Sequence, residues 1–368
     1  MDSQAMTSSA TERGARFSSW TSALLLACTV VGCAGSDLPP APSDDLDAYL
    51  AMPSSNLARM IADPARPYVY VSDRAANAVH FFNTATYVVD HSVAVGSHPG
   101  AMDMKADGSL LFVALHGGSS IAVVDLAAKT LQPPIGVPGT PEIVAVGSND
   151  RLYVSVQGDS LHVFDVGSLP ATSVGTLSGG SAWGTTLAGR TADGSRIFTH
   201  DTSTSLAVTE WDVSAATATE VATADICSGP PLVSSSPDGA RFALLQDASY
   251  FDTRWPLDGG DVPIFRTTDL LRVGTVNVEW DAVAVAMCPA TGSIAVAHRD
   301  TVTNPTTTTR HAQGPGDLHT FDGVTYVETN RYRLRNRVRA YGITCGPDGR
   351  IYLILGVGAG TAIGVIAG

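Results

Sequence analysis

The chain has 368 residues, of which 44% are hydrophobic and only 15% are charged, and it contains 36 Gly and 21 Pro. This composition is typical of a compact protein with many short strands and turns, and it excludes a mainly disordered chain. The net charge of −13 disfavours a nucleic-acid partner, because phosphate binding needs clustered Lys and Arg.

The first residues of the chain have the pattern of an export signal. Arg13 and Arg16 precede an apolar run over residues 20–31. A run of about 12 residues is too short to cross a bilayer core of about 30 Å, and it suits a signal peptide.

The end of this run resembles the bacterial lipoprotein box. Val30, Val31 and Gly32 precede Cys33, and the resemblance implies cleavage before Cys33 and lipid on its thiol. The alternative is an ordinary signal peptide in which the cysteine is incidental. Several acyl chains would anchor the protein durably in the bacterial cell envelope, and Ala34 after the cysteine favours the outer membrane.

Three parts of the chain follow from this pattern. Residues 1–32 are the predicted signal peptide, and residues 33–46 form a flexible tether rich in Pro, Ser and Asp. Residues 47–368 form the predicted folded domain.

The folded domain is built from a repeat. Seven tight turns recur at intervals of about 42 to 57 residues, each between an apolar run and a strand rich in Val, Ile, Leu or Tyr. The turns are Asp63-Pro64, Asp107-Gly108, Asn149-Asp150, Asp193-Gly194, Asp238-Gly239, Thr291-Gly292 and Asp348-Gly349.

Four strands are predicted for each repeat. The predicted strands of the first three repeats are 57–61, 68–72, 78–82 and 87–95, then 110–116, 121–126 and 130–137, then 151–157, 161–166 and 172–177. Evenly spaced strands without helical periods predict an all-β, seven-bladed β-propeller of four-stranded blades. The last repeat ends after a strand at 361–367, so we expect a strand at 47–52 to complete it and close the ring.

Segments 69–89, 105–131 and 151–166 resemble the YVTN-type repeat of the lactonase-like seven-bladed propellers. Over residues 55–166 the residues themselves match the repeat well, whereas over 167–368 mainly the spacing of the strands and turns is similar. The WD repeat fits less well, because Trp211-Asp212 and Trp280-Asp281 do not follow the repeat. Propellers host many unrelated activities, so the resemblance implies the fold and not the function.

Polar residues follow the second strands, which should end on one face of the propeller near its mouth. The candidate residues there are Asp73, His116, His200, Asp201, Asp247, His298 and Asp300. His with Asp can bind a metal or act as acid and base, although polar strand ends beside a wet channel are the alternative. No His pair has a short ligand spacing, so the sequence predicts no metal, no cofactor and no identified catalytic residue.

Two long loops interrupt the repeat and are candidates for function. The loop at 246–262 carries a candidate binding set, Tyr250, Phe251, Arg254 and Trp255, since aromatic and Arg side chains favour binding hot spots. The alternative is that these rings pack on their own blade. The Thr-rich loop at 298–317 is a candidate lid.

A basic stripe alternates along one segment near the end of the chain. It comprises Arg331, Arg333, Arg335, Arg337 and Arg339. At strand period two these side chains share one face, which could hold lipid phosphates or an acidic partner. The alternative is that they offset nearby acidic residues such as Asp44, Asp45 and Asp47 of the tether and the first strand.

The mature chain retains Cys227, Cys288 and Cys345 besides Cys33. Cys288 and Cys345 occupy equivalent repeat positions and should be neighbours on adjacent inner strands. A disulfide suits an oxidising envelope, but buried free thiols are the equal alternative.

The leading hypothesis is a lipid-anchored, monomeric binding or scaffold propeller that engages a protein or glycan in the envelope. The alternative is a lactonase-like envelope hydrolase that uses a His/Asp site at the propeller mouth. A metal-linked or electron-transfer propeller is a third, weaker hypothesis.

Overall fold

The structure is a computed structural model that describes residues 45–52, 54–177, 185–201, 207–226, 231–246, 260–278, 281–299, 301–303, 310–312 and 316–367. These residues form seven four-stranded antiparallel sheets and one two-stranded hairpin. The first strands of neighbouring sheets contact one another around a complete ring. The predicted seven-bladed β-propeller is therefore confirmed.

The strands of each blade are named first to fourth from the ring axis outward. Blade one comprises Leu57–Ala62, Tyr68–Asp73, Ala78–Asn83 and Val88–Ala94. Blade two comprises Pro99–Met104, Leu110–Leu115, Ser120–Asp125 and Thr130–Gly136. Blade three comprises Pro141–Val146, Arg151–Val156, Leu161–Asp165 and Thr172–Leu177. Blades four and five comprise Thr185–Arg190, Arg196–Asp201, Ala207–Asp212 and Thr219–Asp225; and Pro231–Ser235, Arg241–Gln246, Asp261–Arg266 and Arg272–Asn277.

Blade six comprises Asp281–Met287, Ser293–Arg299, Asp317–Asp322 and Glu328–Arg333. The additional hairpin pairs Thr301–Thr303 with Arg310–Ala312, and both of its strands lie between the second and third strands of this blade. Blade seven comprises Arg337–Cys345, Arg350–Val357 and Gly360–Ala367, with Ala48–Met52 as its fourth strand.

The ring closes through this N-terminal strand, as the sequence predicted. Ala48–Met52 pairs antiparallel with Gly360–Ala367, with Leu50 opposite Ile363. Asp45 and Leu46 of the predicted tether also contact this part of the ring, because the Asp45 amide donates to the Arg333 carbonyl at 3.1 Å and Leu46 packs on the core between blades six and seven. The last blade therefore joins both ends of the domain, and its third strand is paired on both sides.

The recurring turn has a local physical cause. In all seven turns the side chain of the first turn residue accepts a hydrogen bond from the amide two residues later, at 2.8–3.3 Å. In every turn except Asp63-Pro64 the intervening residue has a positive φ, for example 68° at Gly108 and 71° at Gly194, which glycine adopts without a Cβ clash. Asp or Asn followed by Gly therefore specifies the turn from local chemistry alone.

The blades are held together by apolar residues on their facing sides. Between blades seven and one, Val69 and Val71 pack with Tyr352, Ile354 and Ile363, all fully buried. The fourth strands are mostly exposed, as in Thr172–Leu177. The core therefore lies between adjacent blades, and the ends of the blades remain available for polar groups.

Cys288 and Cys345 form a disulfide with Cα atoms 5.1 Å apart. Cys288 follows the first strand of blade six, and Cys345 ends the first strand of blade seven. Of the two alternatives that the sequence left open, the structure has the disulfide. The bond links neighbouring blades covalently, which suits an oxidising compartment. Cys227 lies outside the described residues.

The described residues contain no helix with the length and apolar character of a membrane span.

Candidate functional site

The mouth face is defined here as the end of the ring where first strands begin and second strands end. The two longest connections between second and third strands start and finish on this face. They are residues 247–260 of blade five and 300–316 of blade six, whereas the corresponding connection of blade one has only residues 74–77. Blades five and six are neighbours, so both long connections belong to one sector of the ring. Asp247, Asp300 and the loop set Tyr250, Phe251, Arg254 and Trp255 lie outside the described residues.

Asp73 has a structural role at the mouth face. Its Oδ1 accepts hydrogen bonds from the amides of Asn56, Ala75 and Ala76 at 2.8–3.2 Å. Its Oδ2 lies 3.2 Å from Nε2 of His80. These contacts lower the pKa of this buried carboxyl against the opposing effect of burial. The side chain therefore organises the turn after the second strand.

The three predicted mouth histidines have separate surroundings. His116 bonds the Glu142 carbonyl of blade three through Nε2 at 3.1 Å. His200 is buried, and burial lowers its pKa while the Ala207 backbone and Asp201 oppose that shift. His298 is 1% exposed, and its ring centroid lies 5.0 Å from that of His319 in its own blade. Within the described part of the chain, none of the three lines the central cavity, so they form no shared His/Asp centre there.

The central cavity is enclosed by the first strands of all seven blades and has a volume of about 330 Å³. Most of its lining is apolar, with Ala, Val, Ile, Leu and Met side chains. Asp103 and Arg190 form a two-point ion pair across it, with Arg190 Nε to Asp103 Oδ2 at 2.6 Å and Nη2 to Oδ1 at 2.9 Å. Asp103 Oδ2 also accepts from the Val146 amide at 2.7 Å, so both charges are compensated.

A second cationic group lies at the mouth end of this cavity and lacks such compensation. Arg59, near the start of the first strand of blade one, lines the cavity and stacks on the Tyr341 ring at 4.2 Å. Arg74 follows the second strand of the same blade and approaches Nδ1 of His116 with Nη2 at 3.5 Å. Among the described residues neither guanidinium contacts a carboxylate, and Arg74 Nε is buried without a hydrogen-bond partner. We call Arg59, Arg74 and His116 the mouth cation cluster.

The electrostatics of the cluster follow from burial and like charge. Burial lowers the pKa of Arg59 to about 10, with Tyr341 opposing the shift and Arg74 adding to it. Burial also lowers the pKa of His116, with the Glu142 carbonyl opposing and Arg74 and Arg59 adding. His116 is therefore neutral at pH 7, with Nε2–H donating to Glu142 and Nδ1 facing Arg74. Two adjacent cations remain available to an anion.

The basic stripe does not lie on one strand. The fourth strand of blade six ends at Arg333, and the first strand of blade seven begins at Arg337. Arg331 Nε bonds Asp317 at 2.6 Å, and Arg339 Nη2 donates to Asn56 at 2.9 Å. The backbone amide of Arg333 donates to the Asp45 carboxylate at 2.8 Å, a contact that does not involve the guanidinium.

Sequence reasoning missed Arg59, Arg74, Asp103 and Arg190, and it noted His298 without Asp317 and His319. A signal was present for three of them, because Arg59, Asp103 and Arg190 are charged residues inside inner strands that should be apolar. His298 and His319 are separated by the long insertion of blade six, so their proximity follows only from strand pairing.

Comparisons with known proteins support the fold. The chain is similar to the β-propeller domain of Myceliophteria thermophila Cps50 (Swd1), at 12% identity and a TM-score of 0.68, over 89% of this chain and 100% of that one. It is also similar to a chain of a mitotic checkpoint complex, at 16% identity and a TM-score of 0.65, over 90% and 97%. A third match is hydrazine synthase of Kuenenia stuttgartiensis, at 16% identity and a TM-score of 0.57, over 81% and 92%. No protein-family model matches the chain, and a search of curated proteins finds no match.

Proposed function

We propose that the protein is a binding module whose mouth face takes an anionic group, most simply a carboxylate, of a protein partner. The observation that carries this proposal is the mouth cation cluster, in which Arg59 lines the central cavity, Arg74 lies near it, and neither contacts a carboxylate among the described residues. The chain as a whole carries a net charge of −13, so uncompensated neighbouring cations are a specific feature and not a general surface property. A similar propeller in a mitotic checkpoint complex lends support to a protein partner.

The expected energetics suit a specific contact. A carboxylate held by a partly desolvated guanidinium gains a charge-assisted hydrogen bond of about 1.5–3 kcal/mol. Two such bonds, together with relief of the repulsion between Arg59 and Arg74, are enough to make the cluster an anchor point.

The test uses the mature protein and a labelled acidic peptide of alternating Glu and Gly, with binding measured by fluorescence anisotropy at low salt. Arg59→Gln and Arg74→Gln should each weaken binding by at least tenfold, which corresponds to about 1.4 kcal/mol. The matched control is Arg272→Gln, because Arg272 is an exposed arginine of an outer strand whose side chain bonds Thr275 and no carboxylate among the described residues. Peptide binding that is absent in the native protein, or equal in all three variants, would refute the proposal.

We propose further that the module is a lipid-anchored protein of the bacterial cell envelope, of the YVTN-type propeller class. The support is the lipoprotein-like pattern that ends at Cys33, the resemblance of residues 55–166 to that repeat, and a disulfide that suits an oxidising compartment. Cys33→Ala should move the protein from the detergent phase to the aqueous phase in a detergent phase-separation assay. Cys28→Ala, within the same apolar run, is the control and should leave the partition unchanged.

A further inference from the structure

One face of blade six gathers two imidazoles and a carboxylate. Val296 pairs with His319 and Ala297 with Leu318, so the antiparallel register brings the end of the second strand beside the start of the third. His298, Asp317 and His319 share one face because side chains alternate along each strand and residues paired across strands point the same way. One ring nitrogen from each histidine and one oxygen of Asp317 lie within 4.8 Å of one another.

His319 is prepared to be a ligand. The residue is 2% exposed, and its Nδ1 lies 2.8 Å from Oε1 of Glu328. A carboxylate at this position fixes the proton on Nδ1, so Nε2 presents its lone pair. Nε2 is buried and has no hydrogen-bond partner among the described residues. A carboxylate that orients a histidine whose other nitrogen is left unpaired is the usual second shell of a metal site.

Among the described residues, Asp317 has a single side-chain donor to its carboxylate. Arg331 Nε donates to its Oδ2 at 2.6 Å, which leaves Oδ1 for another partner. The amide of Asp317 donates to Nε2 of His298 at 3.3 Å, a long contact that costs little to replace. His298 is 1% exposed and His319 is 2% exposed, so both imidazoles are shielded from solvent and water competes poorly with them for a cation.

We propose that His298, Asp317 and His319 bind a divalent metal ion of the zinc class, with Glu328 and Arg331 as positioning residues. Two imidazole nitrogens and one carboxylate oxygen are ligands typical of Zn²⁺, whereas Ca²⁺ and Mg²⁺ prefer oxygen alone. Three protein ligands leave a fourth position for water or an incoming group. Bonds of about 2.0–2.1 Å place tetrahedral ligands about 3.3 Å apart, so the ligand atoms need to approach one another by at most about 1.5 Å.

The site is independent of the mouth cation cluster, which belongs to blades one and two. The sequence predicted no metal because His298 and His319 lie on either side of the insertion at 300–316. The proposed site and the proposed anion contact can therefore succeed or fail separately.

The test uses the full mature chain in detergent, carrying Cys227→Ser so that the remaining thiol does not bind metal. After chelation and dialysis, Zn²⁺ is titrated in competition with a chromophoric chelator, and Co²⁺ is used for its visible spectrum. One Zn²⁺ per chain is expected, with a tetrahedral Co²⁺ spectrum. Asp317→Asn and His319→Gln should each weaken Zn²⁺ binding by at least about 100-fold, and Glu328→Gln by about 10–100-fold with the stoichiometry retained.

His162→Gln is the matched control, because His162 forms a similar His–carboxylate pair with Asp159 at 3.0 Å in blade three. Circular dichroism establishes that each variant is folded, and Asp317→Asn preserves the shape of the side chain if His319→Gln does not fold. Less than one Zn²⁺ per chain, native affinity in folded Asp317→Asn, or an equal loss in His162→Gln would overturn the proposal.

Discussion

The disulfide between Cys288 and Cys345 should contribute about 4 kcal/mol to the free energy of unfolding. The two residues are 57 positions apart, so the bond closes a loop of that length in the unfolded chain. The loop-closure relation gives an entropy loss of about 14 cal/mol/K for this length, or about 4 kcal/mol at 298 K. Because the bond joins the first strands of blades six and seven, its loss should also loosen the blade that carries the closing N-terminal strand.

The assay is urea unfolding of the native protein and of the Cys288→Ser/Cys345→Ser variant, each with and without reductant. The native protein should lose about 4 kcal/mol on reduction, and the double variant should show the lower stability in both conditions. Cys227→Ser serves as the control and should keep the native response to reductant. If thiol titration of the unreduced, unfolded protein finds Cys288 and Cys345 free, or if reduction leaves the unfolding midpoint unchanged, the reasoning is refuted.

Two further predictions concern a buried carboxyl and the closing strand. Glu210 is fully buried 3.2 Å from Arg196 Nε, and burial raises its pKa to about 7 with Arg196 opposing. The folded state therefore holds this proton between about pH 4.5 and 7, and stability falls as the pH rises through that window. In urea unfolding at pH 8, Glu210→Gln should be more stable than the native protein by up to about 3 kcal/mol, and near pH 4 the two should be equally stable. If the variant keeps the native dependence of stability on pH, the reasoning is wrong. Leu50 is half-buried on the inner side of the closing strand, so Leu50→Ala should lower the free energy of unfolding by about 1–2 kcal/mol. Ala51→Ser, at an exposed position of the same strand, should be nearly neutral. Equal shifts of the melting temperature in the two variants would contradict the closure argument.

Most of the fold could be predicted from the sequence because its signals are local. An Asp or Asn that caps the amide two residues later, with a glycine at positive φ between them, is complete within three residues. Runs of β-branched and aromatic residues bounded by Gly, Pro, Asn and Asp likewise mark strands within a few positions, which is why the strand predicted at 68–72 lies at Tyr68–Asp73. The closing strand was predicted by counting, since six complete blades and a shorter seventh leave one strand missing.

The candidate sites could not be predicted in the same way, since each joins residues from separate strands. The mouth cation cluster combines Arg59, Arg74 and His116 from two blades, and the stripe of arginines is divided where one blade ends and the next begins. A local sequence pattern does not show which strand ends lie next to one another around the ring. It also does not show whether a charged side chain at such an end has an opposite charge nearby.

The sequence by itself determined the all-β class, the seven repeats, the turn chemistry and the strand that closes the ring, since backbone hydrogen bonding and side-chain alternation act over a few residues. Only the tertiary structure decided that Cys288 bonds Cys345, that Arg59 lines the cavity near Arg74 with no described carboxylate in contact with either, and that His319 lies beside His298 and Asp317. These outcomes depend on blade packing and strand register, which bring together side chains that are distant along the chain.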